Sequence, residues 1–212
     1  MSFWHNIEHI TSLIFPLRKE SVYFKNWSVS IYRQNLPPCI QNPAHTTALF
    51  SYKHKDVRTL IRSIKKEKAV FIRDPLAEML SEEILAPYAE SAIASSNIVY
   101  VVPIPLSRKR LRERGFNQSG WIAKKVAENL GDGFMYAPYF LRKTRETKKQ
   151  ALLQRSKRLT NLQNSFKASK IPPGCHVILI DDVVTTGATI HEARTTLIHA
   201  GARKVTALCI AH

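Results

Sequence analysis

Acidic residues are scarce in this chain. Sixteen Asp+Glu face thirty-two Lys+Arg over 212 residues, a formal charge of +16. An excess of that size disfavours cationic partners and favours anionic ones: phosphorylated metabolites, nucleic acid or an acidic protein. Cysteine is also sparse. Cys39, Cys175 and Cys209 are odd in number, far apart, and form no CxxC pair, so nothing argues for a disulfide framework or a zinc knuckle, and a reducing, cytoplasmic setting fits best. No apolar run reaches the roughly 18 residues that signal a membrane span, so a soluble protein is expected. Internal repeats and low-complexity tracts are missing, and the length suits one full-sized domain with at most a small appendage. Neither GxxxxGK[ST] nor GxGxxG occurs, so a nucleotide P-loop and a dinucleotide fingerprint are both excluded.

The N-terminal MSFWHNIEHITSLIFPL has Phe3, Ile7, Ile10, Ile14 and Leu17 at roughly helical spacing. It lacks a basic leader and a small-residue cleavage site, which argues against a secretory signal. A helix laying its apolar face on the protein is expected, with a membrane-surface or partner-binding helix as the alternative. Residues 18 to 46 read as irregular, since Pro37, Pro38 and Pro43 discourage long elements, and a boundary falls near Thr46.

From Thr47 the pattern is regular. TALFSYK (47–53) reads as a strand and KDVRTLIRSIKKE (55–67) as a helix with Val57, Leu60, Ile61 and Ile64 on one face. DPLAEMLSEEILAPY reads as a second helix, capped by Asp74 with Pro75 in its first turn. NIVYVVPIP (97–105) suits a buried parallel strand, and RGFNQSGWIAKKVAENLG (114–131) a helix closed by Gly131. CHVILI (175–180), TIHEARTTLIHAG (189–201) and KVTALCIA (204–211) read as strand, helix and strand. The alternation predicts an α/β fold, a parallel sheet with helices on its faces and right-handed crossovers, after a small irregular N-terminal segment. Ligands in such sheets bind at the carboxyl ends of strands.

Basic residues come in blocks: RSIKKEK (62–68), SRKRLRER (107–114) and RKTRETKKQALLQRSKR (142–158). One block alone reads as a solvated face; three in a small domain suggest a broad positive surface.

Against that background the acids of VILIDDVVTTGATI (177–190) stand out. Asp181 and Asp182 follow four aliphatic residues at the exit of a strand, in the ligand crevice. Gly187 permits close backbone approach or positive φ. Thr185, Thr186 and Thr189 supply hydroxyls, and free N–H groups where a helix starts near Ala188 complete an anion cradle. Carboxylates accept hydrogen bonds from vicinal hydroxyls, so a sugar 5-phosphate satisfies both halves. An N-cap and turn is the plainer reading of two aspartates after a strand, but it leaves the contiguous Thr/Gly loop unexplained.

LIDDVVTTGAT resembles the phosphoribosyl pyrophosphate motif of type I phosphoribosyltransferases. VPIPLSRKRLRERGFNQS (102–119), ALFSYKHKDVRTLIRSIK and TKKQALLQRSKRLTNLQNSF are similar to the competence protein F (ComF) branch of that superfamily. The resemblance runs from Thr47 to His212 and implies a phosphoribosyltransferase-like domain there, with residues 1–46 as a degenerate N-terminal segment. Branch members commonly carry a cysteine-rich zinc module at this end; the single Cys39 makes zinc unexpected. The Lys-aromatic-Lys-Gly stretch usual after the first helix appears as IKKEKAV, without its glycine.

The resemblance further implies that Asp181 and Asp182 contact ribose hydroxyls as the catalytic pair, and that Thr185, Thr186, Gly187, Ala188 and Thr189 hold the 5-phosphate. Pyrophosphate, with Mg²⁺, would fall to the loop after the strand ending near Pro105, where Ser107, Arg108, Lys109 and Arg110 are the candidates; arginine binds phosphate oxygens bidentately. Gln150, Arg155, Arg158 and Asn161 are candidates for a hood that closes over the site and excludes water. In both sets an ordinary solvated surface is the competing reading. Arg114, Phe116, Asn117 and Gln118 would frame an acceptor, or Phe116 would belong to the core. The family name implies a link to DNA uptake in natural transformation, with single-stranded DNA or a competence helicase as partner. No residue set identifies the acceptor of a transfer.

Overall fold

The computed structural model describes residues 18–90, 98–144 and 165–212. Its centre is a five-stranded sheet of β1 (Thr46–Phe50), β2 (Val99–Pro103), β3 (Phe134–Tyr136), β6 (His176–Val183) and β7 (Lys204–Ala211), in the order β1-β7-β6-β2-β3. Every neighbouring pair is parallel, as the alternating sequence predicts. Two further strands, β4 (Leu141–Lys143) and β5 (Phe166–Ala168), pair antiparallel in a small second sheet. They bracket the stretch carrying Gln150, Arg155, Arg158 and Asn161, which lies outside the described residues, as does the apolar N-terminal segment.

The strands β2, β6 and β7 bury both faces, which accounts for their nearly unbroken aliphatic sequences. Ile178, Ile180, Leu208 and Ile210 face one core together with α3 (Lys55–Lys66), α4 (Val70–Glu90) and α6 (Gln118–Leu130). Val177, Leu179, Ala207 and Cys209 alternate to the other face, under Ile190, Ala193 and Leu197 of α7 (Ala188–His199). In α3 the expected stripe of Val57, Leu60, Ile61 and Ile64 is buried as read. All three cysteines are free thiols.

Five local expectations are corrected. Residues 18 to 46 are not irregular throughout: α1 (Lys19–Val22) and α2 (Val29–Asn35) form there, the latter capped where Ser28 Oγ accepts from the Ile31 N–H. They lend Phe24, Tyr32 and Leu36 to the same core as Phe50, and this aromatic burial outweighs the nearby prolines. The second long helix begins before Asp74, because Ala69, Ile72, Leu76 and Leu80 form a buried stripe that draws in the preceding turn. Asp74 therefore caps nothing and instead takes Arg73 Nε at 2.6 Å.

The basic stretch after β2 is not an open loop. It coils into α5 (Arg108–Arg114), with Ser107 as N-cap and Gly115 at φ 76° ending it in the left-handed conformation. The helix expected over 114–131 consequently starts anew at Gln118, capped by Asn117. Finally, β6 continues through Asp181 and Asp182 to Val183, so both acids belong to the strand. Backbone pairing of Asp181 and Val183 with Cys209 and Ala211 of β7 extends it past the aliphatic run.

The sheet order has one functional consequence. The chain leaves β2 toward β3 on one side and leaves β6 toward β7 on the other, although β2 and β6 are neighbours. A crevice therefore opens over the carboxyl ends of β2 and β6, the switch point where open α/β sheets take ligands.

Candidate ligand-binding site

At this switch point both acids are buried, Asp181 at 9% and Asp182 at 5% exposure. The first turn of α6 holds them. Ser119 Oγ donates to Asp181 Oδ1 at 3.0 Å and Gln118 Nε2 to Asp182 Oδ2 at 3.0 Å. Backbone amides complete the set, Asp182 N–H to Asp181 Oδ1 at 2.9 Å and Val183 N–H to Asp182 Oδ1 at 2.8 Å. The turn is itself anchored to β2, because Asn117 Oδ1 accepts from the Ser119 N–H at 3.2 Å while its Nδ2 donates to the Ile104 carbonyl at 3.1 Å.

Lys65, in the last turn of α3, brings its ammonium to 2.9 Å from Asp182 Oδ2. Arg114, closing α5, donates to Gln118 Oε1 at 2.9 Å. A chain of polar contacts thus runs Lys65, Asp182, Gln118, Arg114, linking three helices to the end of β6. Sequence reading located the acids and weighed Gln118 only as part of an acceptor frame; Lys65 and Ser119 it missed. The one signal for Lys65 was its place in IKKEKAV.

The carboxyl group of Asp181 is lifted to about 7, first by burial and then by the neighbouring Asp182 carboxylate; the Asp182 amide, Lys65 and Ser119 pull the other way. The Cys209 thiol, opposite Asp181 on β7, is held well above its ordinary range by burial and by both acids, so it stays protonated and inert.

The following loop is tied down at one end and open at the other. Val184 donates its N–H to the Ala211 carbonyl at 3.0 Å, and its own carbonyl faces His212 Nδ1 at 3.2 Å. Thr185 and Thr186 are exposed, Gly187 and Thr189 half-buried, Ala188 buried. Gly187 adopts φ 74° as N-cap of α7 without a side-chain cap, and the Pro43 Cβ would lie 3.3 Å from any Cβ added at 187. Residues Thr185 to Thr189 therefore present hydroxyls and the N-terminal N–H groups of a twelve-residue helix next to the diacid, an arrangement that favours an anion.

Across the crevice, Ser107 is buried and accepts the Arg110 N–H at 3.4 Å, Arg108 and Lys109 are exposed, and Arg110 is half-buried. Phe116 belongs to neither core. Its ring lies edge-on to Trp121 with Lys68 Nζ 5.4 Å from its centroid, while Arg73 covers Trp121 at 4.9 Å.

A parallel sheet with paired acids at its switch point and a Thr/Gly loop leading into a helix defines a phosphoribosyltransferase-like α/β protein. In agreement, the phosphoribosyl transferase domain family matches residues 117–212. The chain is 29% identical to DNA utilization protein YhgH of Salmonella typhimurium over 174 residues, 81% of this chain and 75% of that protein. It is 32% identical to competence protein ComFC of Streptococcus pneumoniae over 158 residues, and 31% identical to that of Bacillus subtilis over 161, covering 74% and 68% of this chain and 64% of each relative. The chain belongs to the competence protein F family of the type I phosphoribosyltransferase superfamily.

Among the described residues no helix is long and apolar enough to cross a membrane.

Proposed function

We propose that the protein binds phosphoribosyl pyrophosphate, or a related ribose 5-phosphate, across the β2/β6 crevice, and that it serves in competence or DNA handling. The observation that carries this reading is the buried diacid of β6 set directly before the Thr185–Thr189 loop and the start of α7. Asp181 and Asp182 accept the ribose 2- and 3-hydroxyls, the loop takes the 5-phosphate, and Ser107, Arg108, Lys109 and Arg110 offer donors to pyrophosphate. Gln150, Arg155, Arg158 and Asn161 remain the proposed hood.

Among the described residues no three His, Cys, Asp or Glu side chains form a metal cage. In this reading Mg²⁺ enters with the ligand, whose phosphate oxygens supply the coordination this ion prefers. Group transfer at the site would break the C1–O bond, release pyrophosphate, and join C1 to the lone pair of an acceptor through an oxocarbenium-like state. Calorimetric titration with phosphoribosyl pyrophosphate and Mg²⁺ tests the reading: binding is expected in the wild type and lost in Asp181→Asn with Asp182→Asn. Unchanged affinity in the double variant overturns the site.

A second reading rests on the charge of +16 and on the exposed Arg62, Lys68 and Arg112: a partner role in which the basic surface meets single-stranded DNA or a helicase. Counter-ion release makes such DNA binding steeply salt-dependent, so failure to retain single-stranded DNA at about 50 mM salt removes direct contact from consideration.

A further inference from the structure

The second acid is already occupied from within the protein. Asp182 Oδ2 holds the Lys65 ammonium at 2.9 Å and the Gln118 amide at 3.0 Å, and Oδ1 takes the Val183 N–H. The carboxylate side chain is 7% exposed whereas that of Lys65 is 28% exposed. Lys65 therefore forms the water-accessible side of a buried ion pair.

A vicinal diol needs those same carboxylate oxygens. Two neutral hydroxyls can replace the ammonium as hydrogen-bond donors, but they cannot replace its charge. A buried carboxylate stripped of its counter-ion is costly. The exchange becomes favourable only when the displaced ammonium, on its flexible four-carbon stem, meets a new anion close by. In a ribose ligand the group nearest the 2-hydroxyl is the substituent on C1.

We propose that Lys65 is a specificity-determining residue: it plugs the ribose-binding acids and yields only to a ligand that presents a vicinal diol together with a negatively charged substituent on C1. The inference rests on the ribose reading given above and adds the discrimination that reading lacks. A ribose 5-phosphate with a free C1 hydroxyl must displace Lys65 without compensation. A ribose phosphorylated or pyrophosphorylated at C1 gives the ammonium a second partner.

The test is calorimetry on the full chain with two probes, phosphoribosyl pyrophosphate with Mg²⁺ and ribose 5-phosphate, using wild type, Lys65→Met and Lys65→Gln. Lys65→Gln keeps a donor for Asp182 should the methionine variant fold poorly by circular dichroism. Removing the ammonium is expected to tighten ribose 5-phosphate and weaken phosphoribosyl pyrophosphate, each by about tenfold, the size of one charge-assisted hydrogen bond. Lys66→Met, which removes an exposed charge 4.0 Å from Glu20, should leave the ratio of the two affinities unchanged. If both probes shift in the same direction and to the same extent in the Lys65 variants, Lys65 is only a structural or general electrostatic contributor and the inference is overturned while the ribose reading stands. If the wild type binds neither probe, the ribose reading itself fails and the inference falls with it.

Discussion

Ser119 donates its hydroxyl to Asp181 at 3.0 Å, both groups being buried, so the orientation of the first acid is set by a helix on the opposite bank of the crevice. Ser119→Ala removes that donor and leaves the acid with the Asp182 amide. The loss of a buried hydrogen bond is expected to lower stability by about 1–2 kcal/mol, read by urea unfolding. It should also push the Asp181 titration upward, visible in the carboxyl carbon chemical shift. An unmoved titration would show that the contact does not govern the acid.

Gly187 is constrained twice, by its φ of 74° and by Pro43, which leaves tight room for a Cβ there. Gly187→Ala is therefore expected to cost about 1–2 kcal/mol from the left-handed backbone alone, with a further steric contribution. Adding Pro43→Gly, which removes the Cβ that makes the contact, should recover the steric part and leave the backbone part. Thermal melts of the two single variants and the double variant separate them, and complete recovery in the double variant would contradict the backbone argument.

Asp181 gives the protein a specific pH dependence. Its carboxyl is lifted from 3.8 to about 7 in the fold, so between those values the folded chain keeps a proton that the unfolded chain has released. By linkage the stability contributed by this group is complete below about pH 4, declines as pH rises toward 7, and levels off above it. Asp181→Asn retains an oxygen for Ser119 and abolishes the titration. Its melting temperature should exceed that of the wild type at pH 8, with the difference closing near pH 4; parallel curves across that range would show that Asp181 does not carry the proton.

Asn117 caps α6 and ties it to the Ile104 carbonyl. Asn117→Ala removes both contacts and is expected to destabilise the protein by about 2 kcal/mol. Since Gln118 and Ser119 depend on the cap for their direction, ligand affinity should fall in the same variant even under conditions where it is fully folded. An affinity equal to wild type would mean that the diacid holds its geometry without the cap.

Much of the architecture was legible because it depends on local pattern. The aliphatic runs at 97–105, 175–180 and 204–211 gave the central strands, and the stripe from Val57 to Ile64 gave α3. The acids and the Thr/Gly loop were legible for a related reason, since each chemical group is contiguous in sequence. What sequence reading missed depends on distant partners. The short strands β3, β4 and β5 have three residues each, too few for a period to show. Lys65 and Ser119 reach the acids from helices far away in the chain, across contacts of |i−j| = 62 in the case of Ser119. The early start of α4 depends on a buried stripe whose first member, Ala69, looks like part of a basic linker until its burial is known.

The position of β1 has a bearing on how the molecule is made. It lies at the edge of the described sheet and pairs with β7, Thr46 opposite Ala207 and Phe50 opposite Ala211. These residues therefore cannot pair until β7, far along the chain, has been made. Closing so large a loop is slow, and the intervening apolar helices stay unburied meanwhile. Addition of β1 to the sheet is thus expected late in folding, after β6 and β7 have paired.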